Sequence, residues 1–271
     1  MFTTKPPKKM NTAVVCLVLF SATLPCLFTT MTRAETIRFA TIDYCPFTCN
    51  PLVENGKEGF MTDVIRETFE PLGYTLEIDP LPYARAVIST QNGTHDGIIV
   101  VGQDYAPKLV YPSMPTVAQR VMFLVNADQP WRYKGVKSLY PVTVGIVKGF
   151  HYVDSDLITY LQKHQDNQAK VHIIHGNKTT EVGLRMLQTN RITTFLEGEY
   201  SVMYQLNKMR ISDKVIVAGY TTNAFKDYTG FSPINPNSTK YAAMLSKKLA
   251  ELKESGKLEE IIRQYGINLK H

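Results

Sequence analysis

Apolar positions along the chain follow two rhythms that succeed each other repeatedly. Alternation at every second position marks TIRFATI (36–42) as a strand. In GFMTDVIRETFEPLGY (59–74), Met61, Ile65, Phe69 and Leu72 recur at helical spacing before Gly73 stops the pattern. TLEIDPL reads as a second strand, YARAVISTQNG as a short helix closed by Asn92-Gly93, and HDGIIVVG as a third strand that is apolar on both faces. RVMFLVNA (120–127) is a further strand. After the DQPWRYKG loop, SLYPVTVGIVKGF restarts the strand-turn-helix pattern as the opening of a second lobe. That lobe runs on through VHIIHGN, a helix near 179–189, RITTFLEG, the helix EYSVMYQLNK and KVIVAGY. Near the end, Tyr241, Leu245, Leu249 and Leu252 form one helical stripe, and Leu258, Ile261, Ile262 and Tyr265 form another after the Ser255-Gly256 break. Strands alternating with helices predict an α/β fold with mainly parallel sheets.

The first residues do not belong to this pattern. Lys5, Lys8 and Lys9 precede the apolar run from Ala13 to Phe28 and a TTMTRA segment, which is the layout of a secretory signal peptide. Cleavage is expected after Ala34, with Thr32 and Ala34 as the small residues before the cut. The apolar run is shorter than the roughly 20 residues a bilayer span needs.

Removing the leader changes the charge balance. Four of the 30 basic residues (Lys5, Lys8, Lys9 and Arg33) and none of the 24 acids lie before Glu35, so the remaining chain carries only two more basic than acidic residues. It holds no Lys/Arg cluster interleaved with aromatics, so nucleic-acid binding is set aside. Cys45 and Cys49 become the only thiols, in an oxidising compartment. A metal site lacks further ligands nearby, and the CxxxC spacing with Pro46 inside departs from the redox CxxC. CPFTC is therefore expected to be a disulfide closing a small loop.

Five stretches, in order, resemble the periplasmic solute-binding proteins of polar amino-acid ATP-binding-cassette importers, family 3. They are DYCPF after the first strand, GFMTDVI at a helix start, NGTHDGII before the third strand, LQTNRITTFLEGEYSVMYQL in the second lobe, and the ending LKESGKLEEIIRQYG. PYARA is similar to the Pro-Trp-Ala-Arg-Ala of a divergent branch.

The resemblance implies a two-lobed, type II periplasmic-binding-protein fold with two crossover hinge strands, here MFLVN and AGYTT. Lobe 1 is expected from residues 35–123 and 223–271, and lobe 2 from 124–222. It further implies a monomer without cofactor or metal that closes on a small polar solute such as an amino acid or related carboxylate. A membrane permease or a sensor is the implied partner. The alternative on this scaffold is a dehydratase similar to cyclohexadienyl dehydratases.

Site residues follow from the same resemblance. Tyr44 and Phe47 stand on the loop that the Cys45–Cys49 bridge would stiffen, and Tyr83 and Arg85 stand on the lobe 1 rim. Gly149 lets backbone amides approach an anion, with Lys148 nearby and Phe150 or Tyr152 as a wall. The family's Thr-Pro-x-Arg arginine is missing, so Arg85 or Lys108 is expected to supply the cation. The amine-binding aspartate aligns with Gly198, leaving Glu197 or Glu199 to take its role. His172 and His175, three apart on a strand, face opposite ways and are not expected to bind a metal together.

Overall fold

The computed structural model describes residues 1–5, 35–150, 152–176 and 178–268. The apolar run of the predicted leader and the cut after Ala34 lie outside them. No helix among the described residues is long and apolar enough to cross a membrane.

The first lobe is built on a five-stranded sheet. Its strands are β1 (Thr36–Thr41), β2 (Thr75–Pro80), β3 (Gly97–Gly102), β4 (Val117–Gln119) and a late strand from Phe225–Phe231. α1 (Phe60–Phe69) and α2 (Tyr83–Gln91) connect the first three. The second lobe holds β5 (Val121–Asn126), β6 (Val144–Val147), α3 (Ser155–His164), β7 (Val171–Ile174), α4 (Thr179–Gln188), β8 (Thr194–Gly198), α5 (Glu199–Met209) and β9 (Val215–Tyr220). The chain then returns as β10 (Phe225–Phe231), followed by α6 (Ser238–Glu254) and α7 (Lys257–Arg263). Strand order is β2-β1-β3-β10-β4 in one sheet and β7-β6-β8-β5-β9 in the other.

The two sheets follow the same plan. β1 runs parallel to β2 and β3, and β6 runs parallel to β7 and β8, while β10 and β5 enter antiparallel. β3 lies near the middle of its sheet and is buried at every position from Gly97 to Val101, which explains its unbroken apolar run. The predicted stripe of α6 is buried throughout.

Leu72 departs from its predicted stripe and is exposed. The α-helix ends at Phe69, and Glu70–Leu72 form a tighter three-residue turn around Pro71 that carries Leu72 off the α-helical face.

The chain crosses from the first sheet to the second at Arg120, between β4 and β5, and returns through residues 221–224. The return segment is clamped to the second lobe. Asp154, at the start of α3, accepts hydrogen bonds from Thr222 N (2.8 Å), Asn223 N (3.0 Å) and Asn223 Nδ2 (2.8 Å).

Cys45 and Cys49 are joined, as expected. The loop they close caps α1: the carbonyls of Pro46 and Phe47 accept the N–H groups of Phe60 and Met61, both at 2.9 Å. These donors at the first turn have no partner within the helix. The approach is so close that a Cβ on Gly59 would lie 2.4 Å from the Phe47 carbonyl oxygen, and Gly59 also has φ +100°.

Candidate functional site

A cleft of about 820 Å³ opens where the carboxyl ends of β1, β3 and β6 meet the returning β10. This is where open α/β sheets ordinarily place ligands. Lobe 1 lines it with Tyr44, with Tyr83 at the start of α2, with the Val100–Tyr105 segment, and with Asp227 and Tyr228 of β10. The second lobe contributes Val147–Phe150 and Val153, and the return segment contributes Asn223 and Ala224.

Four of the ten sequence-expected ligand-binding residues line this cleft: Tyr44, Tyr83, Gly149 and Phe150. Phe47 does not. It is fully buried, stacked flat against Tyr44 at 4.8 Å, with Phe60 and Tyr200 packed around it, so it supports the Tyr44 ring from the core side. Tyr152 sits in the core of the second lobe, next to Phe150 at 5.1 Å. Arg85 and Lys108 are exposed and off the cleft wall. On α2 the cleft takes Tyr83 and Ala84 while Ala86 enters the core, and each residue turns roughly 100° on a helix, which sends Arg85 toward solvent. Lys108 lies in a turn whose buried neighbours are Ala106 and Leu109. Changing either residue to alanine is expected to alter ligand affinity by less than about fivefold, the scale of a solvated rim charge. A tenfold loss by calorimetry in either variant would return that residue to the site.

The two glutamates lie behind the wall. Glu197 is buried in β8, where one carboxylate oxygen accepts from Gly198 N (2.7 Å) and the other from the Thr180 hydroxyl (3.2 Å). Burial pushes its pKa up to about 7 despite these donors. Glu199 begins α5, half-buried, with its N–H directed to the Arg120 carbonyl.

The acid on the cleft wall is Asp227, which is 7% exposed. Its Oδ2 accepts from Gln119 Nε2 at 2.8 Å, and burial pushes its pKa up to about 7. The Tyr44 hydroxyl is held well above its ordinary pKa, first by burial and then by the nearby Glu197 and Asp227 carboxylates. Tyr83 is pushed up to about 12, chiefly by burial. Sequence patterning missed Asp227 because FKDYTGF, with Lys226, Asp227 and Gly230, does not alternate like a strand. It also missed Asp104, Tyr105, Phe225 and Lys226 on the same wall. Among the described residues the cations on the wall are Lys148 and Lys226, both exposed.

A two-lobed molecule with a cleft at the crossovers is the frame that the sequence motifs implied. The sequence pattern of the bacterial extracellular solute-binding proteins, family 3, matches residues 37–268. The chain belongs to that family. No curated protein matches this family-3 chain. Its fold recurs in solved structures. An amino-acid ABC-transporter substrate-binding protein of Streptococcus pneumoniae, bound to L-arginine, is 17% identical with a TM-score of 0.63, over 85% of this chain and 94% of that one. A histidine kinase sensor domain with similarity to periplasmic binding proteins is also 17% identical with a TM-score of 0.63, over 86% and 96%. A reconstructed ancestral cationic amino-acid solute-binding protein is 18% identical with a TM-score of 0.64, over 85% and 95%. At these identities the likeness is one of fold.

Proposed function

We propose that this family-3 protein is exported and holds a small amine-bearing solute, an amino acid or a close relative of one, between its lobes. It passes that solute to an importer or reports it to a sensor. The reading rests on Asp227. A carboxylate buried on a cleft wall without an ion pair among the described residues gains most from a ligand that brings the cation. The surrounding rings of Tyr44, Tyr83, Tyr105 and Phe150 suit the same group, because an ammonium is attracted to aromatic faces. Lys148 and the open backbone at Gly149 face the cleft from the second lobe and are placed to receive an anionic end. Closure about the crossovers would then shut the solute between the two walls.

The second reading, a dehydratase on this scaffold, would need a proton donor at the ligand, and Asp227 on the cleft wall, pushed up to about 7, is the acid placed for it, whereas the Glu197 oxygens are occupied by Gly198 and Thr180. Turnover of prephenate by the purified protein would decide for that reading.

Thermal-shift screening of amino acids and simple amines should identify a ligand, which raises stability by mass action. Calorimetry on Asp227→Asn should then show affinity reduced between about tenfold and a hundredfold, the worth of a hydrogen bond to a charged group. Unchanged affinity in that variant would refute the reading, and so would a tightest ligand that carries no amine.

A further inference from the structure

The acid on the cleft wall is gripped from behind by a residue that does not itself line the cleft. Gln119 ends β4 with 1% of its surface exposed, and its side-chain amide is used at both ends. Nε2 donates to Asp227 Oδ2 at 2.8 Å, and Oε1 accepts the N–H of Tyr200, in the first turn of α5, at 3.2 Å. That N–H is one of those at a helix start with no partner inside the helix. Gly198 leaves room for the arrangement, since a Cβ there would lie 2.9 Å from Gln119 Oε1.

The amide is therefore fixed in one orientation. Turned over, it would set its NH2 against the Tyr200 N–H and leave a buried donor unpaired, so it offers Asp227 a donor and never an acceptor. A proton on Oδ2 would point at that donor. It belongs instead on Oδ1, the oxygen left to the cleft.

The surroundings leave Asp227 without a fixed cation. The hydroxyls of Tyr44, Tyr83 and Tyr200 face it, and burial holds all three above their ordinary range, so none ionises near neutral pH. Asp104, Lys148 and Lys226 are exposed on the cleft wall, and Glu197 faces Tyr44 from the second lobe. None of these forms an ion pair with Asp227 among the described residues. Burial pushes the Asp227 carboxyl up to about 7 against the pull of Gln119.

We propose that Gln119 is a positioning residue for the cleft acid, holding Oδ2 as a fixed acceptor so that Oδ1 becomes a single seat for which a proton and the solute's ammonium compete. On the amine-binding reading of the cleft, on which this rests, an arriving ammonium expels the proton to solvent, and capture weakens as the medium turns acidic.

Phenethylamine is a suitable probe, a primary amine that stays cationic near neutral pH and carries a ring for the tyrosines. Its affinity by calorimetry should fall about thirtyfold from about pH 8 to about pH 5.5. At about pH 6, buffers of different ionisation enthalpy should reveal about one proton released per molecule bound. In the ligand-free protein the Asp227 carboxyl carbon, followed by carbon-detected NMR, should titrate with a midpoint of about 7. The near-isosteric Gln119→Met removes the donor and should raise that midpoint by about one pH unit or more, because the carboxylate loses a hydrogen bond. A residue that only packs would change melting temperature or affinity and leave the midpoint in place. An Asp227 carbon that finishes titrating below about pH 5, a midpoint unmoved in Gln119→Met, or phenethylamine binding of equal strength at both pH values would overturn the proposal. A loss of amine affinity in Asp227→Asn would keep the amine-binding reading standing in each of those cases, and the ligand-free titration decides even where phenethylamine fails to bind.

Discussion

Raising the pH from about 5 to about 8 should lower the melting temperature of the ligand-free protein, because two buried acids must then ionise inside it. Asp227 and Glu197 are each pushed up to about 7 by burial. At low pH both acids are protonated in the folded and unfolded chain alike, and burial costs little. Between about pH 4 and about pH 7 the unfolded chain gives up these protons while the folded chain keeps them, so stability falls across that window. The loss should be on the order of 3 kcal/mol for each acid. Glu54 acts in the opposite sense: burial pulls its pKa up, but hydrogen bonds from Lys208 and Tyr204 outweigh this and leave it below the usual value. Its window therefore closes below the one in question. Asp227→Asn and Glu197→Gln should each flatten the profile by about half, and the double variant should be nearly flat between these pH values. A melting temperature that rises from about pH 5 to about pH 8, or that falls equally steeply in the double variant, would show that the acids ionise without penalty.

Tyr200→Ala should destabilise the protein by about 3–5 kcal/mol, the range for removing a large buried ring. Tyr200 stands on α5, directly after a strand of the second sheet, but its ring packs in the first lobe's core, 5.7 Å from Phe47 and 5.6 Å from Phe60. Other contacts of α5 reinforce this docking. The Tyr204 hydroxyl and Lys208 both reach Glu54, and the Asn207 amide donates to the Gly266 carbonyl. Tyr200→Phe keeps the ring and should cost less than about 1 kcal/mol. Denaturant unfolding measures both variants, and an alanine variant within about 1 kcal/mol of wild type would mean that the lobes cohere without this ring.

What the sequence made legible was set by where periodicity is clean. Met61, Ile65 and Phe69 of α1, the stripe of α6, the apolar run of β3 and the paired cysteines each announce a local structure that tertiary context did not alter. β10 is different: it lies between β3 and β4 and is buried from Asp227 to Phe231, yet its residues include Lys226, Asp227, Thr229 and Gly230, which do not alternate as a strand's do. The acid on the cleft wall was hidden for that reason, since its burial comes from neighbours distant in sequence. Arg85 and Lys108 illustrate the reverse error. Their charge suited the expected role, but helix and turn geometry direct both to solvent. Tyr44, Tyr83, Gly149 and Phe150 came from the family resemblance, and they line the cleft because each stands next to a strand or helix end. Tyr200 could not have been assigned to the first lobe from its own segment, because nothing in EYSVMYQLNK states which lobe its apolar face will meet.

The Asp154 clamp bears on how the cleft can open. Three hydrogen bonds bind Thr222 and Asn223 to the second lobe, so the return strand has slack only around Ala224 before β10 begins. The outgoing strand has a single residue, Arg120, between its two sheets. With so few residues between the sheets on each side, twisting or sliding of one lobe past the other is resisted. Rotation about the line through Arg120 and Ala224 is what the two spans leave, and it has to release the contacts that dock α5 on the first lobe, the Tyr200 ring and the bonds from Tyr204 and Lys208 to Glu54.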